Sequence, residues 1–438
     1  MPHSNKQMIS FFLETRCKLR CIYCYNSEER ADRAKKEKES TLRLDIAVAS
    51  INEYFKENCG VFDVELDEPQ ERHIRFYGPG EATEEEGFVR MQEIVNYAKK
   101  VAKEANFELT TELQTNGAFN EEVREWVLEN IDLLWISFDG TPNIHDKQRP
   151  MVDDDDNIKC SSETIEENIK WLIENKNNRK RQNEFVIGLR STITNESINH
   201  QKDMIDYFKK LGINYIWSDP EFPAVGKDVV CKDVAKMAKY NFDLIAYVAK
   251  YVEAYRYAKS KGVFYGSFLA CNFDGKTETN CRACLPVPHI TPDGYVSACD
   301  LVLSGGDEDR PQHMDCFIYG KWDDSKKEFN LKDKIYVDRK RELKARKVLS
   351  LSLEGCKRCI ARHYCSGYCP GEVVNETGEL NGQLNGKNNT RNVCIAIRLL
   401  HMELFKEITA DLQNQDYHYG KEVIKNGQKQ YEYKYPHP

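Results

Sequence analysis

The chain has 438 residues, 40% hydrophobic and 31% charged, with a formal net charge of −8. That length supports two or three cores, while the acidic balance argues against nucleic acid as the main partner, because affinity for phosphate chains rests on clustered Lys and Arg. No apolar run approaches the ~20 residues that span a bilayer, and the opening MPHSNKQMISFFLETRC lacks the basic and long apolar regions of a secretory signal, so the expectation is a cytoplasmic protein with no membrane partner.

From about residue 8 to 225, short β-rich runs alternate with longer helical patterns, as in βα units around a parallel sheet. The expected strands are MISFFLE, HIRFYG, FELTTELQT, LLWISFD, EFVIGLRSTI and NYIWSD. Amphipathic segments lie between them, including LDIAVASINEYF, FVRMQEIVNYAKKVAKEA and TIEENIKWLIENK, whose apolar stripes read as core packing. The stretch MVDDDDNIKCSS after Pro150 reads as a polar loop. Residues 226–264 read as bridging helices, residues 265–400 as a small cysteine-rich domain held by metal, and residues 401–438 as a polar, Tyr-rich tail.

Sixteen cysteines in a long chain without a secretory signal point to metal ligation or redox chemistry. Cys17, Cys21 and Cys24 form CKLRCIYC, a C-x3-C-x2-C triplet just after the first expected strand. Three thiolates can leave one iron of a [4Fe–4S] cluster open to a further ligand. A zinc knuckle would need a fourth ligand, for which His3 and His73 are poor candidates.

The triplet in this position resembles the defining motif of the radical S-adenosylmethionine (SAM) superfamily. The resemblance implies an α/β fold, a partial (β/α)6 TIM-like barrel, with SAM chelated by the open iron and cleaved to a 5′-deoxyadenosyl radical. FYGPGEAT, residues 76–83, looks like the family's glycine-rich element, with Gly78, Gly80 and Glu81 as SAM contacts, although Pro79 and Ala82 stand where glycine and proline are commoner. The plainer alternative is a strand-to-helix turn with Thr83 as N-cap. WISFDGTPNIHDKQRP, residues 135–150, resembles a stretch of the peptide-modifying branch, which implies that Ser137 and Arg149 contact SAM. Asn116, in QTNG at the end of the third strand, is a further candidate, while His145 and Asp146 are expected to fix the turn.

The later cysteines read C-x9-G-x4-C from Cys284 to Cys299, then C-x2-C-x5-C-x3-C from Cys356 to Cys369, then Cys394. This is similar to the SPASM domain, a C-terminal cysteine-rich α+β domain binding auxiliary iron–sulfur clusters. The resemblance implies Cys284, Cys299 and Cys369 as ligands of one cluster, completed by Cys281 or, failing that, Cys271. It implies Cys356, Cys359, Cys365 and Cys394 for the other, making three [4Fe–4S] clusters in all. A zinc ribbon is the alternative. Cys59, Cys160, Cys231 and Cys316 have no expected role. Asp300 stands where sulfatase-maturating enzymes carry a catalytic base.

The function this implies is oxidative modification of a ribosomally made peptide, by a cross-link, a thioether or backbone excision. Formylglycine formation as in anaerobic sulfatase maturation is the alternative, and a non-catalytic iron–sulfur electron carrier is an alternative of another class. A peptide substrate is expected, with an electron donor such as flavodoxin or ferredoxin. Since only Met1 to Gln7 precede the first strand, a separate leader-peptide-binding protein is also expected.

Overall fold

A computed structural model of the chain describes residues 8–24, 41–64, 70–78, 80–153, 157–181, 183–222, 242–270, 281–302, 312–346, 353–365, 367–382, 392–410, 421–425 and 428–432. Pro79, Asp154 to Asp156, Cys231, Cys271 and residues 226–241 of the expected bridging helices lie outside them.

The chain runs through β1 (Ile9–Phe12), α1 (Leu44–Tyr54), β2 (Glu71–Tyr77), α2 (Glu85–Ala105), β3 (Glu108–Thr115), α3 (Glu121–Asn130), β4 (Leu133–Ser137) and α4 (Pro142–Gln148). A short hairpin follows, β5 (Met151–Val152) with β6 (Ile158–Lys159), then α5 (Ser162–Asn175), β7 (Val186–Ile193), α6 (Gln201–Lys210), β8 (Tyr215–Pro220), α7 (Leu244–Lys261) and β9 (Phe264–Gly266). The C-terminal part adds β10 (His289–Ile290), β11 (Tyr295–Ser297), β12 (Ile318–Asp323), β13 (Glu328–Asn330), α8 (Lys334–Arg346), α9 (Pro370–Thr377), α10 (Val393–Ala410), β14 (Lys421–Lys425) and β15 (Gln428–Glu432).

Eleven strands form one sheet in the order β13-β12-β11-β10-β1-β2-β3-β4-β7-β8-β9. The six expected strands are its parallel centre, in sequence order, as right-handed βα crossovers produce. The sequence reading missed that the sheet continues at both edges: β9 joins β8, and β10 joins β1, both parallel, before β11 to β13 turn antiparallel. Strands of two or three residues are too short for alternation to reveal. The polar stretch after Pro150 likewise pairs into the β5–β6 hairpin.

Each central strand has two chemically distinct faces. Ile74, Phe76, Leu113, Leu134, Ile136, Leu189 and Ile216 join the main apolar core under the helices. Helix α2 packs there through Phe88, Met91, Ile94, Val95, Ala98 and Ala102, at helical spacing. The alternate residues point the other way and include His73, Arg75, Glu112, Gln114, Ser137, Arg190, Trp217 and Asp219. Low on that face Trp135, Tyr215 and Phe264 form a separate aromatic cluster. Gly188 admits the Trp135 ring, because a Cβ there would stand 2.5 Å from it.

Helix ends are set locally. Asn120 accepts from Val123 N at 3.0 Å to start α3, and Asp243 accepts from the backbone of Ile245 and Ala246 to start α7, which ends on left-handed Gly262.

Candidate functional site

The loops following the central strands surround a cleft of about 240 Å³. Cys17, Cys21 and Cys24 line it, as do Gly78, Gly80, Glu81, Asn116, Ser137 and Arg149, so the N-terminal candidate residues meet in one place. The cysteine loop is fastened by its backbone: Arg20 N donates to Pro150 O at 2.7 Å and Ile22 N to Gln148 O at 3.0 Å. At its start Glu14 accepts from the backbone of Thr15 and Arg16. Asn116 Nδ2 lies 4.0 Å from Cys17 Sγ, and Arg149 Nη1 lies 3.9 Å from Cys21 Sγ. Donors directed at thiolates are what an anionic cluster needs.

Asp139 organises this wall. One carboxylate oxygen accepts from Tyr23 Oη, from Gln148 Nε2 at 2.9 Å and from Arg149 Nε at 2.9 Å; the other accepts from Thr192 N at 2.9 Å. Burial works against its charge, but Arg149 and the donated hydrogen bonds outweigh that and hold its carboxyl below the usual range. Sequence reasoning passed over Asp139 although it lies inside WISFDGTPNIHDKQRP, and it passed over Tyr23, inside the triplet. His145 Nδ1 accepts from Asp139 N, and Asp146 accepts from the backbone of Ser161 and Ser162, so both fix the local turn.

The glycine-rich loop works through close approach. A Cβ on Gly80 would collide with the Arg16 carbonyl, whose oxygen accepts from Glu81 N at 2.8 Å. Thr83 is not the cap of α2, whose N-cap is Glu84; its hydroxyl donates to Glu81 Oε1 at 2.7 Å. Thr115 Oγ1 and Asn116 N donate to the same carboxylate, tying the end of β2 to the end of β3. Burial pushes the Glu81 carboxyl up, against these hydrogen bonds. Glu81 therefore shapes the loop that presents Gly80 and Asn116.

Across the cleft stand Gln114, Arg190, Trp217, Asp219 and Phe222, none of which the motifs had singled out. Arg190 Nη1 donates to Gln114 Oε1 at 2.8 Å, and Asp219 accepts from Trp217 Nε1 at 2.7 Å. Asp300, just after β11, accepts from buried Arg75 Nη2 at 2.9 Å and lies 3.7 Å from His289 Nδ1. Its side chain is 41% exposed.

The C-terminal cysteines fall into two sets. Cys299 is pushed well up by burial and by the proximity of Cys369 and Cys281, and Cys369 by burial and by the proximity of Glu372 and Cys281. Cys356, Cys359, Cys365 and Cys394 line a second cavity, of about 50 Å³. Burial and the neighbouring Cys365 push Cys394 up to about 12. Thiols so placed stay protonated unless a metal ionises them. Among the described residues no three Cys, His, Asp or Glu side chains close on one point as the ligands of a single ion do. A cubane cluster sets its thiolates wider apart, on separate irons.

No family model matches the chain. Over 205 residues it is 30% identical to a cysteine-type anaerobic sulfatase-maturating enzyme of Clostridium novyi (strain NT); the match covers 46% of this chain and 47% of that protein, so the chain spans about half the length of the curated relative it matches. Among solved structures, native anSMEcpe with bound AdoMet superposes with a TM-score of 0.65 at 16% identity, covering 93% of this chain and 99% of that one. The same protein has been solved with AdoMet and the Cp18Cys peptide, with a TM-score of 0.64. Streptococcus suis SuiB bound to S-adenosylmethionine gives a TM-score of 0.53 at 14% identity, covering 88% of this chain and 78% of SuiB. SuiB has also been solved bound to its precursor peptide SuiA.

Proposed function

We propose that this chain is a radical SAM enzyme that oxidatively modifies a ribosomally made peptide, a reading supported by its 30% identity over 205 residues to an anaerobic sulfatase-maturating enzyme. The observation that carries the reading is the meeting of the cysteine triplet with Gly80, Asn116, Ser137 and Arg149 in one cleft at the strand ends. The peptides bound to anSMEcpe and SuiB support a peptide as the substrate class. Among the described residues no helix is long and apolar enough to cross a membrane.

Cys17, Cys21 and Cys24 would hold a [4Fe–4S] cluster, and the nearby Asn116 and Arg149 donors suit its charge. With SAM bound, such a cluster supplies the 5′-deoxyadenosyl radical that removes a hydrogen atom from substrate. The protein's own work is positioning. Asp139 fixes Tyr23 and Arg149 beside the triplet, Glu81 fixes the glycine-rich loop, and Ser137 offers a hydroxyl at the end of β4. Cys281, Cys284, Cys299 and Cys369 would hold one auxiliary cluster, and Cys356, Cys359, Cys365 and Cys394 the other, giving an exit for the second electron of an oxidation. The electron donor would be a flavodoxin or ferredoxin, and a small leader-binding protein would present the peptide.

Asp300 is the proposed base, held by Arg75 where β11 ends. Asp300→Asn should leave SAM cleavage active while product per deoxyadenosine falls at least tenfold; normal coupling would remove Asp300 from the mechanism. Formylglycine formation is the second reading, favoured by the identity to the Clostridium novyi enzyme. A sulfatase-derived cysteine peptide converted to an aldehyde would establish it.

Ser137→Ala should weaken SAM binding by about 0.5–1.5 kcal/mol, the worth of one neutral hydrogen bond, with iron content unchanged. Equilibrium dialysis against labelled SAM measures this. Unaltered affinity would mean that Ser137 is only a strand-end residue.

A further inference from the structure

Arg346, the last residue of α8, is a buried cation with no carboxylate partner among the described residues. Only 2% of it is exposed. Nη1 donates to Leu380 O and Nη2 to Gly367 O at 3.2 Å, and Nε has no hydrogen-bond partner among the described residues. No Asp or Glu among them forms an ion pair with it, and the groups that raise its affinity for the proton against burial are Cys284, Cys369, Cys281 and Cys365. It acts in turn on Cys356. The bond to Gly367 holds the guanidinium at the short stretch that runs from Cys365 of one cysteine set to Cys369 of the other.

A guanidinium removed from water costs several kcal/mol unless an anion compensates it. Carbonyl oxygens offset part of that, and neutral thiols offset little. Thiolates on iron–sulfur clusters would supply the missing negative charge on both sides. From this position we infer that Arg346 is the shared counter-cation of the two auxiliary clusters, stabilising their reduced, more negative states together. The inference rests on the auxiliary-cluster reading above and adds a residue that no ligand motif contains.

Removing the cation should make each auxiliary cluster harder to reduce, because net charge near a cluster sets its potential. The experiment is an EPR-monitored redox titration of anaerobically reconstituted full-length protein, wild type beside Arg346→Met and Arg346→Lys, with iron counted in each. In Arg346→Met both auxiliary potentials should move negative, while the cluster on Cys17, Cys21 and Cys24 keeps its potential. Arg346→Lys should stay near wild type. Loss of auxiliary iron in Arg346→Met with retention in Arg346→Lys would support the same conclusion, since the charge is then needed for the sites to form.

Unchanged auxiliary potentials in Arg346→Met would overturn the inference. So would equal shifts, or equal iron loss, in both variants, which would trace the effect to packing. A wild-type protein holding only about four irons would instead strike down the auxiliary-cluster reading, and the inference with it.

Discussion

Replacing Cys17, Cys21 and Cys24 together by Ala is expected to remove about a third of the iron from reconstituted protein and to abolish 5′-deoxyadenosine formation. The triplet lines the N-terminal cleft, whereas Cys356, Cys359, Cys365 and Cys394 line a separate cavity. Iron at the C-terminal sets should therefore survive the change. Iron and sulfide counts with chromatography of the nucleoside products measure both effects. SAM cleavage by the triple variant under dithionite would mean that the cleft has been assigned the wrong cofactor.

The largest effect on stability is expected at Asp139. Asp139→Ala leaves the Arg149 guanidinium buried without its carboxylate and strips an acceptor from Tyr23, Gln148 and Thr192. Breaking one side of a buried ion pair commonly costs about 3–5 kcal/mol, because the other charge stays behind in a poorly solvating site. The barrel should melt at a clearly lower temperature, and Arg149 should lose its hold beside Cys21. Asp139→Asn, which keeps an acceptor oxygen, should lose less. A melting curve of Asp139→Ala that overlays wild type would show that the carboxylate is not what holds this wall.

The six central strands were legible because one face of each is apolar and because helical stripes separate them. What alternation could not convey is the purpose of the other face. Arg75, Glu112, Arg190 and Asp219 read as ordinary strand charges, and only the topology shows that they point inward, where Arg75 meets Asp300 across 225 residues of sequence. The triplet and the later cysteines were conspicuous as candidate ligands, since ligand geometry constrains spacing. Arg346 was not. It ends DRKRELKAR, a run that reads as a solvated helix face. Its burial follows from packing against Gly367 and Leu380, which no local pattern announces. At Glu81 the motif suggested a ligand contact, and no local pattern announced that its carboxylate also accepts from Thr83, Thr115 and Asn116.

Chemistry on a peptide in this cleft can be read from the mass of the peptide itself. Reconstituted enzyme, SAM and reductant are incubated with small peptides encoded beside its gene, with and without any small leader-binding protein encoded there, and each peptide is weighed by mass spectrometry while deoxyadenosine is counted. One peptide is expected to lose hydrogen atoms or a fragment, in step with deoxyadenosine formed. Turnover of a free amino acid or sugar, with every peptide left at its original mass, would contradict it.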